Sequence, residues 1–383
     1  MVHDRFFCMR IAILHNDDHA LLEEDPGREA REDVVRVAAA MREALSKGKH
    51  SVKLVPVGAD LLGLHEALSG DRHDVVLNLC ESLAADARGE MVVPAMLDLV
   101  GVPFTGSSAL SLGLALHKNK AKEILRARGV PTPEFRIVGH LEELPNIDLP
   151  FPLIVKPSRE DASMGIDFDS VVNTRQQLGR AVGKVLRTFK QPALVERFIE
   201  GREIYVPLLG NGPRSALPLS EIKFRGVFDE KPRIVSYKAK WDVESDEYAG
   251  SPSELTELPA EIEKRCVEVA MAAFEALECR DYGRVDLRVD SSGQPYVIDI
   301  NPNCDLHPQA GFARAAEAAG LSYAELALHL VDLAWERRNG NQAPRSVGPA
   351  TPRRAAEPHR DLHAGRSRVR ARAHRRRAHA QQP

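Results

Sequence analysis

Apolar and polar positions along the chain follow two periods, and these predict strands and helices in turn. Short apolar runs bounded by polar residues are typical of buried strands, whereas apolar residues three and four positions apart are typical of amphipathic helices. In the first part of the chain the pattern predicts strands at 10–14, 52–57 and 74–79, helices at 29–45 and 92–99, and a short extended segment at 101–106. Strands that alternate with helices predict a parallel sheet with helices on its faces.

The pattern changes after a predicted helix at 118–128. Gly129 suits the left-handed cap of that helix, and Pro131 and Pro133 prevent its continuation, so a new domain is predicted near this point. Further strands are predicted at 153–156, 193–196, 203–209, 283–289 and 295–300, with helices between the first two of these and at 260–277. The last two strands flank the sequence Asp-Ser-Ser-Gly, which predicts a hairpin.

The length of the chain indicates more than one domain. A chain of 383 residues is too long for one hydrophobic core, because single cores stop growing at about 250 to 300 residues. Hydrophobic residues make up 43% and charged residues 28%, which is the balance of a globular protein. We expect domains at 1–115, 116–200 and 201–338, followed by a segment at 339–383.

Charge separates this last segment from the rest of the chain. The net charge is -3, but residues 340–383 carry eleven arginines against Glu357 and Asp361, so the preceding residues carry a net charge of -12. An acidic body argues against nucleic-acid binding, because such a surface needs basic residues that neutralise phosphates. The Arg-rich segment has few large apolar residues and is predicted to be disordered. An RNA-binding arm is the alternative interpretation.

Neither a membrane span nor a disulfide framework is indicated. No apolar run approaches the roughly 18 residues of a membrane span, and no apolar segment near the first residue precedes a small-residue cleavage site. The five cysteines are scattered, odd in number and without a C-x-x-C pair, so they predict neither paired disulfides nor a zinc cluster. We expect a cytoplasmic protein.

Three side chains that carry oxygen converge on the predicted C-terminal hairpin. Asp299 and Asn301 share one face of the second strand, and the antiparallel first strand can bring Asp286 beside them. Oxygen ligands without Cys or His suit Mg²⁺, with Mn²⁺ as an alternative ion. The same pattern is equally expected for carboxylates that face solvent at the end of a half-buried strand.

Four segments in a characteristic order carry a family resemblance. They are GVPFTGS at 101–107, LIVKPSREDASMGI at 153–166, VERFIEGREI at 195–204 and GRVDLRVDSSGQPYVIDINPN at 283–303. From about residue 11 to residue 336 the chain resembles the ATP-grasp superfamily, and within it the D-alanine:D-alanine ligases. The resemblance implies an α/β protein of the α+β grasp type. An N-terminal parallel α/β domain would precede a small lobe and a C-terminal lobe that carries the metal site, with ATP held between the lobes.

The resemblance also implies which residues bind ATP. Lys118 and Lys156 match the lysines that hold its phosphates, and a lysine is a compact charge that can follow a moving phosphate. Glu196 matches the acceptor of the adenine amino group, Glu203 matches the ligand of the ribose hydroxyls, and Phe198 is one of the apolar residues that would flank the adenine ring. Ordinary solvation of a charged helix is the alternative interpretation of Lys118.

The implied reaction is activation of a carboxylate by ATP and its transfer to an amine. The segment 158–165 resembles the mobile loop over the triphosphate, where Ser163 and backbone N–H groups could bond phosphate oxygens. Lys240 would neutralise phosphate oxygens, and Arg284 would stabilise negative charge on an acyl phosphate and on a tetrahedral intermediate. A salt bridge to Asp286 is the alternative role of Arg284. The implied partners are small amino acids or peptides, and a homodimer is left open.

At the substrate end the sequence departs from the family. Asp161 and Ala162 replace the usual glycine and serine of the mobile loop, and Trp241 stands where a tyrosine is usual. Asp305 replaces a glycine, and residues 78–81 stand where a histidine-glycine motif is common. Amino-acid recognition is therefore expected to differ from that of the family, while nucleotide chemistry is expected to be retained.

Trp241 is the most informative of these departures. An indole offers an N–H donor but no hydroxyl, so we expect Trp241 to shape the pocket by packing and D-alanine to be a poor acceptor. The family's N-terminal glutamate would have to be supplied by Glu29 or Glu32. Three functions stay open: a D-alanine:D-alanine ligase-like enzyme, a grasp ligase for a different amino acid or peptide, and a homologue that binds nucleotide without catalysis.

Overall fold

The computed structural model describes residues 8–16, 28–70, 72–84, 86–211 and 215–340, without the side chains at 28–32 and 339–340. The described residues belong to one unit by their internal contacts. The predicted disorder of the Arg-rich segment lies outside the described residues.

The N-terminal part forms a parallel three-stranded sheet in the order β2-β1-β3, with helices on it as predicted. Ile11 at the centre pairs with Val52 on one side and with Val75 on the other. A single bridge from Val76 to Phe104 adds the extended segment that the sequence predicts. The elements are β1 (Arg10–Asn16), α1 (Arg28–Lys47), β2 (Ser51–Val57), α2 (Leu61–Gly70), β3 (Val75–Asn78), α3 (Val92–Val100) and α4 (Ala109–Leu116).

An antiparallel four-stranded sheet in the order β4-β7-β5-β6 follows. The helix before it ends as predicted, because Gly129 has a left-handed φ of 71°. Thr174 begins the helix that covers the sheet by accepting a hydrogen bond from the N–H of Gln177. The elements are α5 (Lys118–Ala127), β4 (Phe135–Val138), β5 (Leu153–Pro157), β6 (Val171–Val172), α6 (Arg175–Thr188) and β7 (Ala193–Arg197).

A six-stranded antiparallel sheet carries the predicted hairpin. Its order is β11-β10-β8-β12-β13, and β9 pairs with β8. The Asp290 carboxylate closes the hairpin turn by accepting the N–H groups of Ser292 at 2.9 Å and Gln294 at 3.0 Å. The elements are β8 (Arg202–Leu209), β9 (Ser215–Ala216), β10 (Ser220–Ile222), α7 (Tyr237–Trp241), α8 (Asp246–Ala249), β11 (Ser253–Leu255), α9 (Ala260–Ala276), β12 (Tyr282–Val289) and β13 (Pro295–Asn301).

The last two helices return to the N-terminal part of the chain. They are α10 (Gly311–Ala318) and α11 (Tyr323–Gly340). Phe312 and Leu330 share one buried cluster with Ile11, Met41 and Leu77, so apolar burial joins the two ends of the described chain. No described helix is long and apolar enough to cross a membrane. The domain boundaries stay a prediction.

Candidate functional site

Residues from the four-stranded and six-stranded sheets line a cavity of about 270 Å³. The strands β5, β7, β8, β12 and β13 each send side chains into it, because side chains alternate between the two faces of each sheet. Every site residue predicted from the sequence lies on the wall of this cavity. These residues are Lys118, Lys156, Ser163, Glu196, Phe198, Glu203, Lys240, Arg284, Asp286, Asp299 and Asn301.

The hairpin brings the three predicted metal ligands together. Asp286 on β12 pairs in register with Asp299 on β13, and the register shifts just after Asp286. The Asn301 amide donates a hydrogen bond to Asp286 at 3.1 Å. The Arg284 guanidinium donates two hydrogen bonds to the same carboxylate, at 2.7 and 2.9 Å. Burial alone would lower the pKa of the Arg284 guanidinium. The attraction of the Asp286 carboxylate is larger than this effect, so the pKa is raised. The salt bridge that the sequence allowed for Arg284 is therefore present.

Lys118 joins this hairpin to the loop at 158–165. It begins α5 and is 7% exposed, and its Nζ lies 2.7 Å from Asp299 and 3.1 Å from Asp161. Burial would lower the pKa of the ammonium, but the two carboxylates outweigh burial and raise it. Ordinary solvation on a helix surface does not describe this lysine.

Glu196 is buried between two lysines. Lys156 Nζ lies 2.6 Å from one carboxylate oxygen and Lys122 Nζ lies 2.7 Å from the other, and Glu196 is 1% exposed. Burial would raise the pKa of Glu196, but the two ammonium groups lower it to about 2. The sequence interpretation missed Lys122. Its signal was a second lysine one helical turn after Lys118, on the face of α5 that packs inward.

Another part of the wall of the first cavity combines apolar side chains with the acidic Glu203. Glu203 accepts hydrogen bonds from Arg288 and from the Tyr205 hydroxyl, each at 3.1 Å. The Arg288 guanidinium also lies 5.0 Å from the centre of the Phe198 ring. Burial raises the pKa of Glu203, although Arg288 opposes this change. Ile222 and Ile234 complete the apolar wall.

A second cavity of about 410 Å³ adjoins the first. Both cavities share a boundary that includes Ala162, Lys240, Arg284 and Asn301. Besides Glu160 and Asp161, which line both cavities, the second cavity has four carboxylate side chains on its wall, contributed by α1, by the segment between β3 and α3, and by the segment after β13. They are Asp33, Glu81, Glu90 and Asp305.

Two of these carboxylate residues form hydrogen bonds with asparagines, the buried Asn16 and the half-buried Asn303. Asn16 accepts the N–H of Glu81 at 2.8 Å, and the Asn303 amide donates to Glu90 at 2.9 Å. The Glu81 side chain is open to the cavity, yet protein walls surround its carboxyl. This surrounding, with repulsion from Asp305, raises the pKa of Glu81 to about 8.

Trp241 lies between the second cavity and the loop at 158–165. Its indole N–H donates to the Ala162 carbonyl at 3.1 Å, so the side chain bonds as well as packs. Lys240 Nζ lies 5.2 Å from the centre of the Trp241 ring. The side chains of Glu29 and Glu32, the two candidates for an N-terminal glutamate, lie outside the described part of the chain.

Comparison with known proteins places the chain in a family. Residues 124–332 match the family model described as D-ala D-ala ligase C-terminus. The D-alanine–D-alanine ligase of Desulforamulus reducens is 30% identical over 81% of this chain and 97% of its own length. The uncharacterized protein y4sG of Sinorhizobium fredii is 39% identical over 70% of this chain and 76% of its own length.

Solved structures show the same architecture. The D-alanine–D-alanine ligase of Bacillus anthracis, solved as a complex with ATP, has a TM-score of 0.67 at 24% identity and covers 88% of this chain and 99% of its own. The two sheets around one cavity therefore define an ATP-grasp fold, as predicted. The chain belongs to the D-alanine–D-alanine ligase family. The prediction of a ligase of this type is confirmed at the level of the family.

Proposed function

We propose that the protein uses ATP to join a carboxylate to an amine, with the nucleotide in the first cavity and the joined substrates in the second. The observation that carries this proposal is the common boundary of the two cavities at Lys240 and Arg284. A carboxylate held there would meet the terminal phosphate of a nucleotide and two cationic side chains. Catalysis of this kind depends chiefly on position and on charge stabilisation.

The base and ribose of ATP fit the end of the first cavity away from this boundary. Phe198 and the apolar wall would flank the adenine ring, and Glu196 would accept from its amino group. The Glu196 carboxylate lies on the wall of the first cavity with one oxygen beside Lys156 and the other beside Lys122, and a carboxylate oxygen can accept more than one donor. Glu203 would accept from the ribose hydroxyls, and the phosphates would extend toward Lys118 and Lys156.

The donors on the hairpin fit Mg²⁺ that is completed by phosphate oxygens. Two carboxylates and one amide, from Asp286, Asp299 and Asn301, are enough for an ion that keeps waters and substrate oxygens in its shell. Among the described residues no group of three His, Cys, Asp or Glu forms a metal site without such help. When bound, the ion would neutralise phosphate charge.

The reaction would proceed in two displacements at the boundary. First, a substrate carboxylate oxygen attacks the γ-phosphorus of ATP, and the bond between this phosphorus and the β-phosphate oxygen breaks. The products of this step are ADP, which is the leaving group, and an acyl phosphate. The amine then attacks the acyl carbon, loses a proton, and expels inorganic phosphate. Arg284 and Lys240 would hold the negative charge of both transition states, and Ser163 would bond a phosphate oxygen of ATP.

A second candidate is a ligase for an amino acid other than D-alanine, and one observation favours it. Six acidic side chains line the second cavity against three basic ones, from Lys240, Arg284 and Arg314, and this excess is larger than the single ammonium group of an acceptor balances. A substrate with an additional cationic group would satisfy them, because opposite charges within about 4–6 Å favour each other's charged form. A homologue that only binds nucleotide is the third alternative, and the second cavity argues against it, because a nucleotide in the first cavity leaves the second without a ligand.

The test is a screen for ADP release. The protein would be incubated with ATP, magnesium and single or paired amino acids, and products would be identified by mass. We expect ADP release that depends on an amino acid and is matched by one new amide per ADP. Release of ADP at the same rate without any amino acid, or no release with any, would contradict ligation.

A further inference from the structure

The loop at 158–165 contains a turn that its own sequence does not favour. The Met164 N–H donates to the Asp161 carbonyl at 3.0 Å, which closes a four-residue turn. Its two central residues, Ala162 and Ser163, have φ values of 53° and 60°. Positive φ at both central positions is the arrangement in which Gly and Asn dominate, because a Cβ atom is crowded there. Contacts from outside the turn must therefore hold it.

Two such contacts are present, and they differ in whether a bound phosphate would compete with them. Lys118 Nζ bonds the Asp161 carboxylate at 3.1 Å, and the Trp241 indole N–H bonds the Ala162 carbonyl, also at 3.1 Å. A phosphate at Lys118 would compete with Asp161 for the ammonium group. The Trp241 contact involves no group proposed to bind ATP, so it can persist when the nucleotide is present.

We propose that Trp241 is a positioning residue that holds the 161–164 turn over the first cavity through its hydrogen bond to the Ala162 carbonyl. The turn places Ser163 on the wall of the cavity, and Trp241 itself lines the second cavity. Through this bond, Trp241 connects the loop at 158–165 to the helix α7, which also carries Lys240. The structural part of this proposal stands without the proposed function, and only its kinetic consequence rests on ATP use.

The test begins with Trp241→Phe, which keeps an aromatic ring beside Lys240 but removes the N–H donor. We expect amide hydrogen exchange in the peptide that contains 161–164 to accelerate roughly five- to tenfold, the factor that one ordinary hydrogen bond supplies. The KM for ATP should rise by a similar factor, while kcat changes less. Trp335→Phe is the matched control, because it removes the chain's other indole in α11, and it should change neither quantity.

A glycine at the turn provides the rescue. Ala162→Gly removes the crowded Cβ, so the double variant Trp241→Phe with Ala162→Gly should recover most of the slow exchange. Unchanged exchange in Trp241→Phe would overturn the proposal. So would a local change that glycine fails to recover, or faster exchange throughout the chain, because either would mean that Trp241 acts elsewhere. Exchange needs no substrate, so its outcome is independent of whether the ligase assignment succeeds.

Discussion

The ammonium group of Lys118 lies 2.7 Å from one oxygen of Asp299 and 2.8 Å from the other, although 181 residues separate them in the chain. The sequence predicts that Lys118 binds phosphate and that Asp299 binds the metal ion. The pair fixes the start of α5 against the end of the hairpin, so the proposed phosphate and metal groups share one position. ATP and magnesium would each take one partner of this pair.

Replacement of Asp299 by Asn tests the metal role. The change removes a charge at a strand end and leaves the core intact, so we expect turnover at limiting magnesium to fall on the order of a hundredfold. The melting temperature should also fall, because the buried Lys118 loses one of its two carboxylate partners and keeps only Asp161. Asp229→Asn, an exposed carboxylate outside both cavities, is the control. Normal turnover of Asp299→Asn at limiting magnesium would contradict the assignment.

Glu196→Gln should affect stability as well as nucleotide binding. It leaves Lys122 and Lys156 buried without their common carboxylate, and loss of one partner from a buried ion pair costs about 3–5 kcal/mol. Because the folded pKa of Glu196 is about 2 and its ordinary value is 4.5, its contribution is present above pH 4.5 and disappears as the pH falls toward 2. Urea unfolding at several pH values would measure both effects. Equal stability of wild type and variant at neutral pH would refute them.

Glu81 should give stability the opposite dependence on pH. Its folded pKa is raised from 4.5 to about 8, so the folded protein binds this proton more tightly than the unfolded chain does. The contribution is therefore complete below about pH 4.5 and is lost as the pH rises to about 8. Melting curves should show wild type losing stability relative to Glu81→Gln across this range. Glu142→Gln, on the exposed surface, should follow wild type. Parallel curves for Glu81→Gln and wild type would be the contrary result.

The acceptor preference follows from the same cavity. With Ala162 and Trp241 in place of two hydroxyl-bearing side chains, and with Glu81 and Asp305 on the wall, D-alanine should be a poor acceptor. We expect basic amino acids to give at least about tenfold higher kcat/KM than neutral ones of equal length, which corresponds to 1.4 kcal/mol. Asp305→Asn should reduce this preference, because Glu81, with a pKa of about 8, carries little charge at neutral pH. Efficient dipeptide formation from D-alanine alone would show that Trp241 is a tolerated substitution.

Two variants distinguish the contribution of the Arg-rich segment to stability from that of the helix α11 before it. Removal of residues after 340 should leave melting temperature and activity nearly unchanged, because the removed segment is poor in large apolar residues. Arg337→Ala should instead destabilise the protein by about 1–3 kcal/mol. Arg337 bonds the fully buried Asp281, which the Gly106 N–H and the Asn211 amide also contact. A large loss on truncation alone would mean that the segment docks.

Local pattern was sufficient for eight of the described strands, for five of the described helices and for the proposed nucleotide residues. The hairpin and its carboxylates follow from alternation and a polar turn, and these features lie within one short stretch of sequence. The short strands β4, β6, β9, β10 and β11 and the small helices α7 and α8 were missed, because they contain too few residues to show a period. The longer helices α2, α4, α10 and α11 were also missed.

Contacts between distant segments could not be predicted in this way. Glu81, Glu90 and Asp305 lie on one cavity wall only because the segment between β3 and α3 and the segment after β13 meet there, and no sequence spacing predicts that contact. The bond from Trp241 to Ala162 reaches a backbone carbonyl, which carries no sequence signal. The packing of α11 on β1 and β3 likewise depends on tertiary burial.

The proposed reaction activates the substrate carboxylate by direct transfer of the γ-phosphoryl group from ATP. Once the screen has identified a substrate, its carboxylate would be labelled with ¹⁸O and the phosphate released in the reaction would be analysed by mass. Attack by the carboxylate oxygen predicts one ¹⁸O in each phosphate for each amide formed, with ADP as the other product. Amide formation with unlabelled phosphate, or with AMP in place of ADP, would contradict the account.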